Sequence, residues 1–437
     1  MKPLIEFALR RQRLLDKLPP ETWVIISNVA ASLRNGDCYY PYRPRSDFYY
    51  LTGFTEPEAV ALFGTTAQGP QFILFNAARD ATQERWSGAR TGQLGACMDY
   101  GADKAYPIAE LSLSLPRYLA ACQSVCFLFN EDTIAEQQIR HAMQHLSQTK
   151  GSAQRTAASQ WINLAQCLHE MRLIKQPEEI EHIKQAVHIS ATAHQRAMQV
   201  CQPGLYEYEI EAALLHEFYR SGSRATAYDN IVATGSNACI LHYHHNQSPL
   251  KTGQLLLIDA GCEYHYYASD ITRSFPVNGR FTTEQRELYQ IVLAAQEAAI
   301  QAIQPGVCWP ELELIACRIL TTGLVELGLL KGTVSKLLEQ KAYRRFYPHS
   351  LGHWLGLDVH DVGHYQDAQG SRAFQANMVL TVEPGLYILP DNLEVDARWR
   401  GIGIRIEDDI LVTETGCEVL SAAIPKKMDE IESFMQS

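Results

Sequence analysis

Asp259, Asp270, His353, Glu383 and Glu407 each stand at the edge of an apolar run, in the settings LLLIDAG, YASDITRSF, HSLGHWLG, LTVEPGLY and GIGIRIEDD. A fold in which these five converge puts four carboxylates into a site only a few ångströms across. Burial and mutual repulsion forbid such a cluster unless about four positive charges sit within it. Two divalent cations supply that charge.

The local patterns say how convergence is reached. The eleven-residue spacing from Asp259 to Asp270 spans two strand candidates and a loop, so a hairpin is expected to bring the two carboxylates side by side. In GIGIRIEDDILV, strict alternation puts Ile402, Ile404 and Ile406 on one face and Gly403, Arg405 and Glu407 on the other. Glu383 ends the strand candidate MVLTVE, and Pro384 and Gly385 then turn the chain, which leaves the carboxylate at a strand end.

An oxygen-dominated donor set with a single imidazole suits hard to borderline cations, with manganese the first choice and cobalt or zinc as alternatives. Paired ions about 3.5 Å apart bind a bridging water, lower its pKa and clamp the carbonyl under attack, so amide hydrolysis follows. His242, His349 and His360 share the same sequence setting. An imidazole N–H from His242 or His349 is expected to stabilise negative charge on the former carbonyl oxygen. Glu383 or His360 is expected to deliver a proton to the departing amine.

The bulk numbers narrow the partners. With 437 residues, 46% of them hydrophobic and 20% charged, the chain has ample material for two domains. A formal net charge of -11 and the lack of a long Lys/Arg run argue against nucleic acid or an anionic membrane as the main partner. No run reaches 18 apolar residues, and MKPLIEFALRRQRLLDK carries charges where a signal peptide would have its apolar core. Eleven cysteines, an odd number without a CxxC pair, lie in apolar contexts, so a cytoplasmic location without a disulfide framework is expected.

The leading part reads as mixed α/β, with an amphipathic helix over residues 5 to 18 and strand candidates at TWVIIS, DFYYLTG, EAVALFG, QFILFN and SVCFLF. SQTKGSAQRTAASQ, residues 147 to 160, is a linker or an exposed loop. Pro177 followed by Glu178 and Glu179 marks a helix start, which places a domain junction near residue 172 and predicts domains 1–172 and 173–437. Beyond it, helices are expected from 177, over 207–220, after a capping box at Thr282 and Gln285, and through ELELIACRILTTGLVEL. Helices alternating with antiparallel-looking strands indicate an α+β domain with helices on one face of a curved sheet.

These settings resemble the pita-bread metallopeptidases of family M24, and the whole chain is similar to the aminopeptidase P (Xaa-Pro aminopeptidase) group within it. The likeness runs through LHY, LIDAG, DITRSFPVNG, HSLGHWLGLDVHDVG, LTVEPGLYI and GIGIRIEDD, and extends to YPYRPRSDFYYLTGFTEPEAV near the amino terminus. It implies a creatinase-like amino-terminal α/β domain and a pita-bread catalytic domain with a curved, mainly antiparallel sheet. It implies two ions, usually manganese, held by Asp259, Asp270, His353, Glu383 and Glu407, with Asp270 and Glu407 bridging. By the same likeness His242, His349 and His360 line the substrate pocket, and Tyr387, Arg405 and Asp37 form a supporting hydrogen-bond network. Trp86 in ERWSGAR resembles a tryptophan that one subunit lends to another's pocket, which implies a homo-oligomer, a dimer or tetramer.

The implied activity is removal of an amino-terminal residue that precedes proline. An X-Pro bond is a tertiary amide without N–H, and the ring fixes φ near -65°, so proteases that grip an extended backbone through that N–H lose their hold. The rival activities are a prolidase-type X-Pro dipeptidase, a methionine aminopeptidase, which needs no leading domain, and a non-catalytic pita-bread protein that has lost its ligands.

Overall fold

The computed structural model describes residues 2–66, 69–120, 122–148, 158–368 and 370–436. It divides into two compact units, Met1–Met171 and Arg172–Ser437. Residues 149–157, the middle of the expected linker or loop, lie outside the described residues.

The first unit is built on a six-stranded mixed sheet, in the order Lys104–Pro107, Gly69–Asn76, Val60–Thr66, Thr22–Ser27, Ser124–Phe127, Gln160–Asn163. Thr22–Ser27 is central, antiparallel to Val60–Thr66 and parallel to Ser124–Phe127. All six of its residues are buried, the mark of a strand covered on both faces. Leu111, Leu115 and Leu119 from one helix and Ala135, Ile139, Ala142 and Leu146 from another recur at helical spacing. They pack on Ile25, Leu62, Ile73, Phe75, Val125 and Phe127. Each buried Leu, Ile, Val or Phe among them contributes about 1.5–3 kcal/mol of transfer free energy.

One strand expectation fails here. DFYYLTG forms the helix Ser46–Thr52, ended by Gly53 at φ 67°, whose N–H donates to Tyr49 O at 2.8 Å. Arg10 and Arg11 of helix Lys2–Leu15 donate to the carbonyls of Tyr50 and Leu51 at 3.2 and 2.8 Å, satisfying the helix's free C-terminal acceptors. A seven-residue aromatic run fits both periodicities, and packing against a neighbouring helix settled which one it takes.

The second unit carries long helices at Pro177–Val200, Glu207–Arg220, Thr283–Gln301 and Trp309–Glu326, close to where the sequence puts them. Ile180, Ile183, Val187 and Ala191 form the buried stripe of the first. Thr282 N–H donates to Gln285 Oε1 at 2.9 Å and Gln285 N–H returns the bond to Thr282 Oγ1 at 3.3 Å, completing the expected capping box. The strands form antiparallel ladders: Ile231–Thr234, Leu255–Asp259 and Thr272–Pro276 in one, Val379–Val382, Asp408–Val412 and Cys417–Val419 in another, with Gly385–Ile388 paired to Ile402–Arg405.

A buried polar knot joins these ladders. Arg273 and Asp408, both fully buried, pair at 2.7 Å, and Asp408 also accepts from Lys426 and Ser421 at 2.6 Å and from Gln296 at 2.9 Å. Burial alone would raise the carboxyl pKa, but Arg273 and Lys426 outweigh it and hold Asp408 well below the usual range. The adjacent Glu407 inherits this anchoring, since Arg273 Nη1 also donates to its carbonyl at 2.6 Å.

Candidate active site

Each acidic candidate sits where a strand stops. Asp259 is the last residue of Leu255–Asp259 and pairs in register with Thr272. The expected hairpin between Asp259 and Asp270 holds a second, smaller one, Cys262–Tyr264 with Tyr267–Ala268, turned by His265 and Tyr266 at φ 48° and 68°. Asp270 therefore enters two residues ahead of Thr272 instead of facing Asp259 across the ladder. Glu383 follows Val379–Val382, and Glu407 lies at the switch from Ile402–Arg405 to Asp408–Val412, its N–H donating to Thr272 O at 3.1 Å.

His353 arrives on a loop that lies along Val379–Val382. Glu383 N–H donates to Leu351 O at 2.8 Å, Thr381 N–H to His353 O at 2.9 Å, and His353 N–H to Thr381 Oγ1 at 3.1 Å. That approach requires glycine at 352, because a Cβ there would stand 2.1 Å from the Thr381 carbonyl oxygen.

All five line one cavity of about 790 Å³, together with Arg405, His242, His349 and His360. Ligand atoms of Asp270, His353 and Glu407 lie within 4.8 Å of one another. His353 Nε2 is 3.3 Å from Asp270 Oδ2 and 3.6 Å from Glu383 Oε1, which brings Glu383 to the same point. Asp259 is aimed by two donors, Tyr228 Oη at 2.7 Å and Arg405 Nη2 at 2.6 Å.

The electrostatics show a site short of positive charge. Burial, then repulsion from Asp270, Glu383 and Asp259, pushes the Glu407 carboxyl far above its usual range. Burial also raises Asp259, against the pull of Arg405, and raises Glu383 to about 7, against the pull of His353. Burial opposes charge on His353, but its hydrogen bond to Asp270 and the charges of Asp270 and Glu383 win and raise it to about 9. Carboxylates that pull protons onto themselves and onto a neighbouring imidazole fit a cage for cations, and the oxygen-rich donor set fits hard to borderline divalent ions.

The histidines differ in their freedom. His349 is committed at both nitrogens: Nδ1 lies 2.8 Å from Ser350 O and Nε2 2.8 Å from the Tyr387 hydroxyl. Burial pushes Tyr387 up to about 12, so it keeps its proton, accepts from Arg405 Nη1 at 3.0 Å and donates to His349 Nε2. Burial, reinforced by Arg405, lowers His349 to about 3 and keeps it neutral, which assigns its proton to Nδ1, donating to Ser350. Neither nitrogen offers an N–H to the cavity. His242 and His360 are exposed to it, with the His360 ring edge-on to His353 at 4.3 Å.

Asp37 and Trp86 belong to the first unit. Asp37 turns the exposed hairpin of Leu33–Asn35 and Cys38–Tyr39, and Trp86 is 87% exposed on helix Ala81–Ser87. That unit also holds a triple of Asp47, Glu131 and His169, in which His169 Nε2 lies 3.1 Å from Asp47 Oδ2. Sequence patterns gave no sign of Tyr228, or of Asp409, whose Oδ2 accepts from Asp270 N–H at 3.0 Å. Tyr228 sits in a stretch without periodicity, and Asp409 becomes legible only once its strand is seen to pass Asp270.

The model of metallopeptidase family M24 matches residues 181–414, and that of the aminopeptidase P N-terminal domain matches residues 7–127. The chain is 47% identical to the Xaa-Pro aminopeptidase of Escherichia coli strain K12, over 98% of this chain and 97% of that one. Its fold superposes on an aminopeptidase from Pseudomonas aeruginosa with a TM-score of 0.97 and 44% identity, covering 99% and 98% of the two chains. Zinc-substituted E. coli aminopeptidase P in complex with product matches with a TM-score of 0.95 and 47% identity, covering 99% and 98%. Likeness over both units, at this identity, establishes that the chain belongs to the aminopeptidase P branch of metallopeptidase family M24.

Proposed function

We propose that this protein is a metal-dependent Xaa-Pro aminopeptidase, hydrolysing the bond between an amino-terminal residue and a following proline in peptides. The observation that carries this is the convergence of Asp259, Asp270, His353, Glu383 and Glu407 in one cavity of a chain similar, over nearly its whole length, to Xaa-Pro aminopeptidases. The five side chains would hold two divalent ions, manganese first, with Asp270 and Glu407 reaching both, Asp259 serving one, and His353 and Glu383 the other. When bound, such ions polarise the scissile carbonyl and make water acidic enough to act as nucleophile near neutral pH.

The chain's own groups do the rest. Arg405 and Tyr228 orient Asp259. The acidic wall attracts the substrate's α-ammonium group, which selects a free amino terminus. His242 is exposed to the cavity and without a hydrogen bond among the described residues, a state it shares with His244 and His360, and we assign it as the donor for the carbonyl oxygen as charge develops there. His349, tied to Ser350 and Tyr387, shapes the wall instead. Glu383 and His360, both lining the cavity, are the groups assigned to pass a proton to the leaving proline nitrogen.

We further assign residues 1–172 and 173–437 as the two domains, Asp37 to the supporting network, and Trp86 to a neighbouring subunit's pocket in a homo-oligomer of the cytoplasm. Among the described residues no helix is long and apolar enough to cross a membrane. The test compares an X-Pro dipeptide with an X-Pro-Y peptide, alongside elemental analysis of the purified protein. Release of X from X-Pro-Y with two ions per chain is expected; cleavage confined to the dipeptide would instead make the enzyme a prolidase.

A further inference from the structure

The segment His242–Asn246 presents its side chains in a way the chemistry above does not use. Tyr243 is turned into the protein, where its hydroxyl donates to Glu207 Oε2 at 2.8 Å and accepts from Asn237 Nδ2 at 3.1 Å. Asn246 is likewise buried, accepting from Val232 N–H at 3.1 Å and donating to Asn230 O at 2.9 Å. These two anchors fix the backbone between them. His242 and His244, on either side of Tyr243, are both exposed and both line the cavity, whereas His245 does not line it.

The cavity has a direction. Its acidic wall takes the ammonium end of a peptide, so the residues after proline must lead away from the carboxylates, past the imidazoles. Two residues of chain span at most about 7 Å, which limits the Cα separation of His242 and His244. The same limit of about 7 Å separates the scissile carbonyl of an extended peptide from the carbonyl of the residue after proline. With His242 at the scissile carbonyl, His244 is within reach of that later group.

We infer that His244 is a substrate-binding residue that donates a hydrogen bond to the carboxyl oxygen of the residue following proline, a terminal carboxylate in a tripeptide and a peptide carbonyl in a longer chain. This rests on the aminopeptidase function proposed above and deepens it: it accounts for how the enzyme favours X-Pro-Y over X-Pro. A contact to the residue beyond proline, away from the reacting carbonyl, acts on ground state and transition state alike, so it changes KM and leaves kcat in place.

The experiment measures kcat, KM and bound manganese for the wild type, His244→Ala, His244→Gln and His245→Ala on X-Pro-Y and X-Pro-Y-Z peptides. His244→Ala is expected to raise KM about 5- to 20-fold with kcat within about twofold and metal content unchanged. His244→Gln, which keeps a neutral N–H donor, recovers most of the loss, and His245→Ala behaves as wild type. An unchanged KM in His244→Ala, a parallel fall in kcat or metal content, or an equal effect from His245→Ala overturns the assignment while the aminopeptidase function stands. Failure of the wild type to cleave either peptide overturns that function itself.

Discussion

The Tyr387 hydroxyl lies 2.8 Å from His349 Nε2 and 3.0 Å from Arg405 Nη1, and Arg405 reaches on to Asp259 at 2.6 Å. A cavity imidazole and a candidate metal ligand are thus joined through two buried side chains, so the tautomer of one and the aim of the other are set together. Tyr387→Phe removes the link without changing the ring. The expected result is a fall in kcat of about 10- to 100-fold, the usual effect of losing an outer hydrogen bond at a metal site. Steady-state kinetics with metal analysis checks it, and an unaltered kcat would show that His349 needs no such hold.

Glu407→Ala and Asp259→Ala take charge from a cluster whose members depend on shared cations. Both are expected to abolish activity and to lower metal content well below that of the wild type, because the remaining carboxylates hold an ion less well. His242→Ala is expected to keep its metal while turnover drops by about 100-fold or more, as for the loss of one donor to a developing oxyanion. Metal loss from His242→Ala, measured by elemental analysis, would place that imidazole among the ligands.

Gly352→Ala tests the approach of the His353 loop to its neighbouring strand. The new methyl would stand 2.1 Å from the Thr381 carbonyl oxygen, a backbone atom that cannot swing aside, so the loop must move. Overpacking of this kind costs about 1–3 kcal/mol. Thermal unfolding should show that loss, and metal affinity should fall as well, since His353 travels with the loop. A normal melting temperature with normal metal binding would mean that the loop has slack.

His194 gives the pH dependence a sign. It is fully buried in helix Pro177–Val200, with Nε2 2.9 Å from Ala260 O, and burial lowers its pKa from about 6.5 to about 4. Between these two values the unfolded chain binds a proton that the folded chain refuses, so stability falls as pH drops through that window. The loss from this group approaches about 3 kcal/mol at the acid end. Denaturant unfolding between pH 7 and pH 4 should show a shallower acid slope for His194→Gln than for the wild type. Equal slopes would mean that the ring accepts a proton in the folded protein.

The sequence by itself determined the elements whose physics is local. Helix starts at Pro177 and Thr282 follow from capping chemistry within four residues, and the strand TWVIIS from an unbroken apolar run. The candidate ligands were legible for the same reason: the carboxylates stand at the edges of apolar runs, Asp259 and Glu383 just before a glycine or proline turn, and their summed charge demands a cation wherever they meet. Tertiary structure alone decided matters that depend on distant chain. Helix rather than strand for Ser46–Thr52 came from Arg10 and Arg11 on another helix, some 40 residues away. The extra hairpin before Asp270, the Asp409 carboxylate behind it and the closure of His349 by Tyr387 and Ser350 were fixed by register between ladders. A hydrogen bond across 139 positions, such as Asp270 to Asp409, leaves no periodic trace in either segment, because periodicity records which face is buried and not what lies against it.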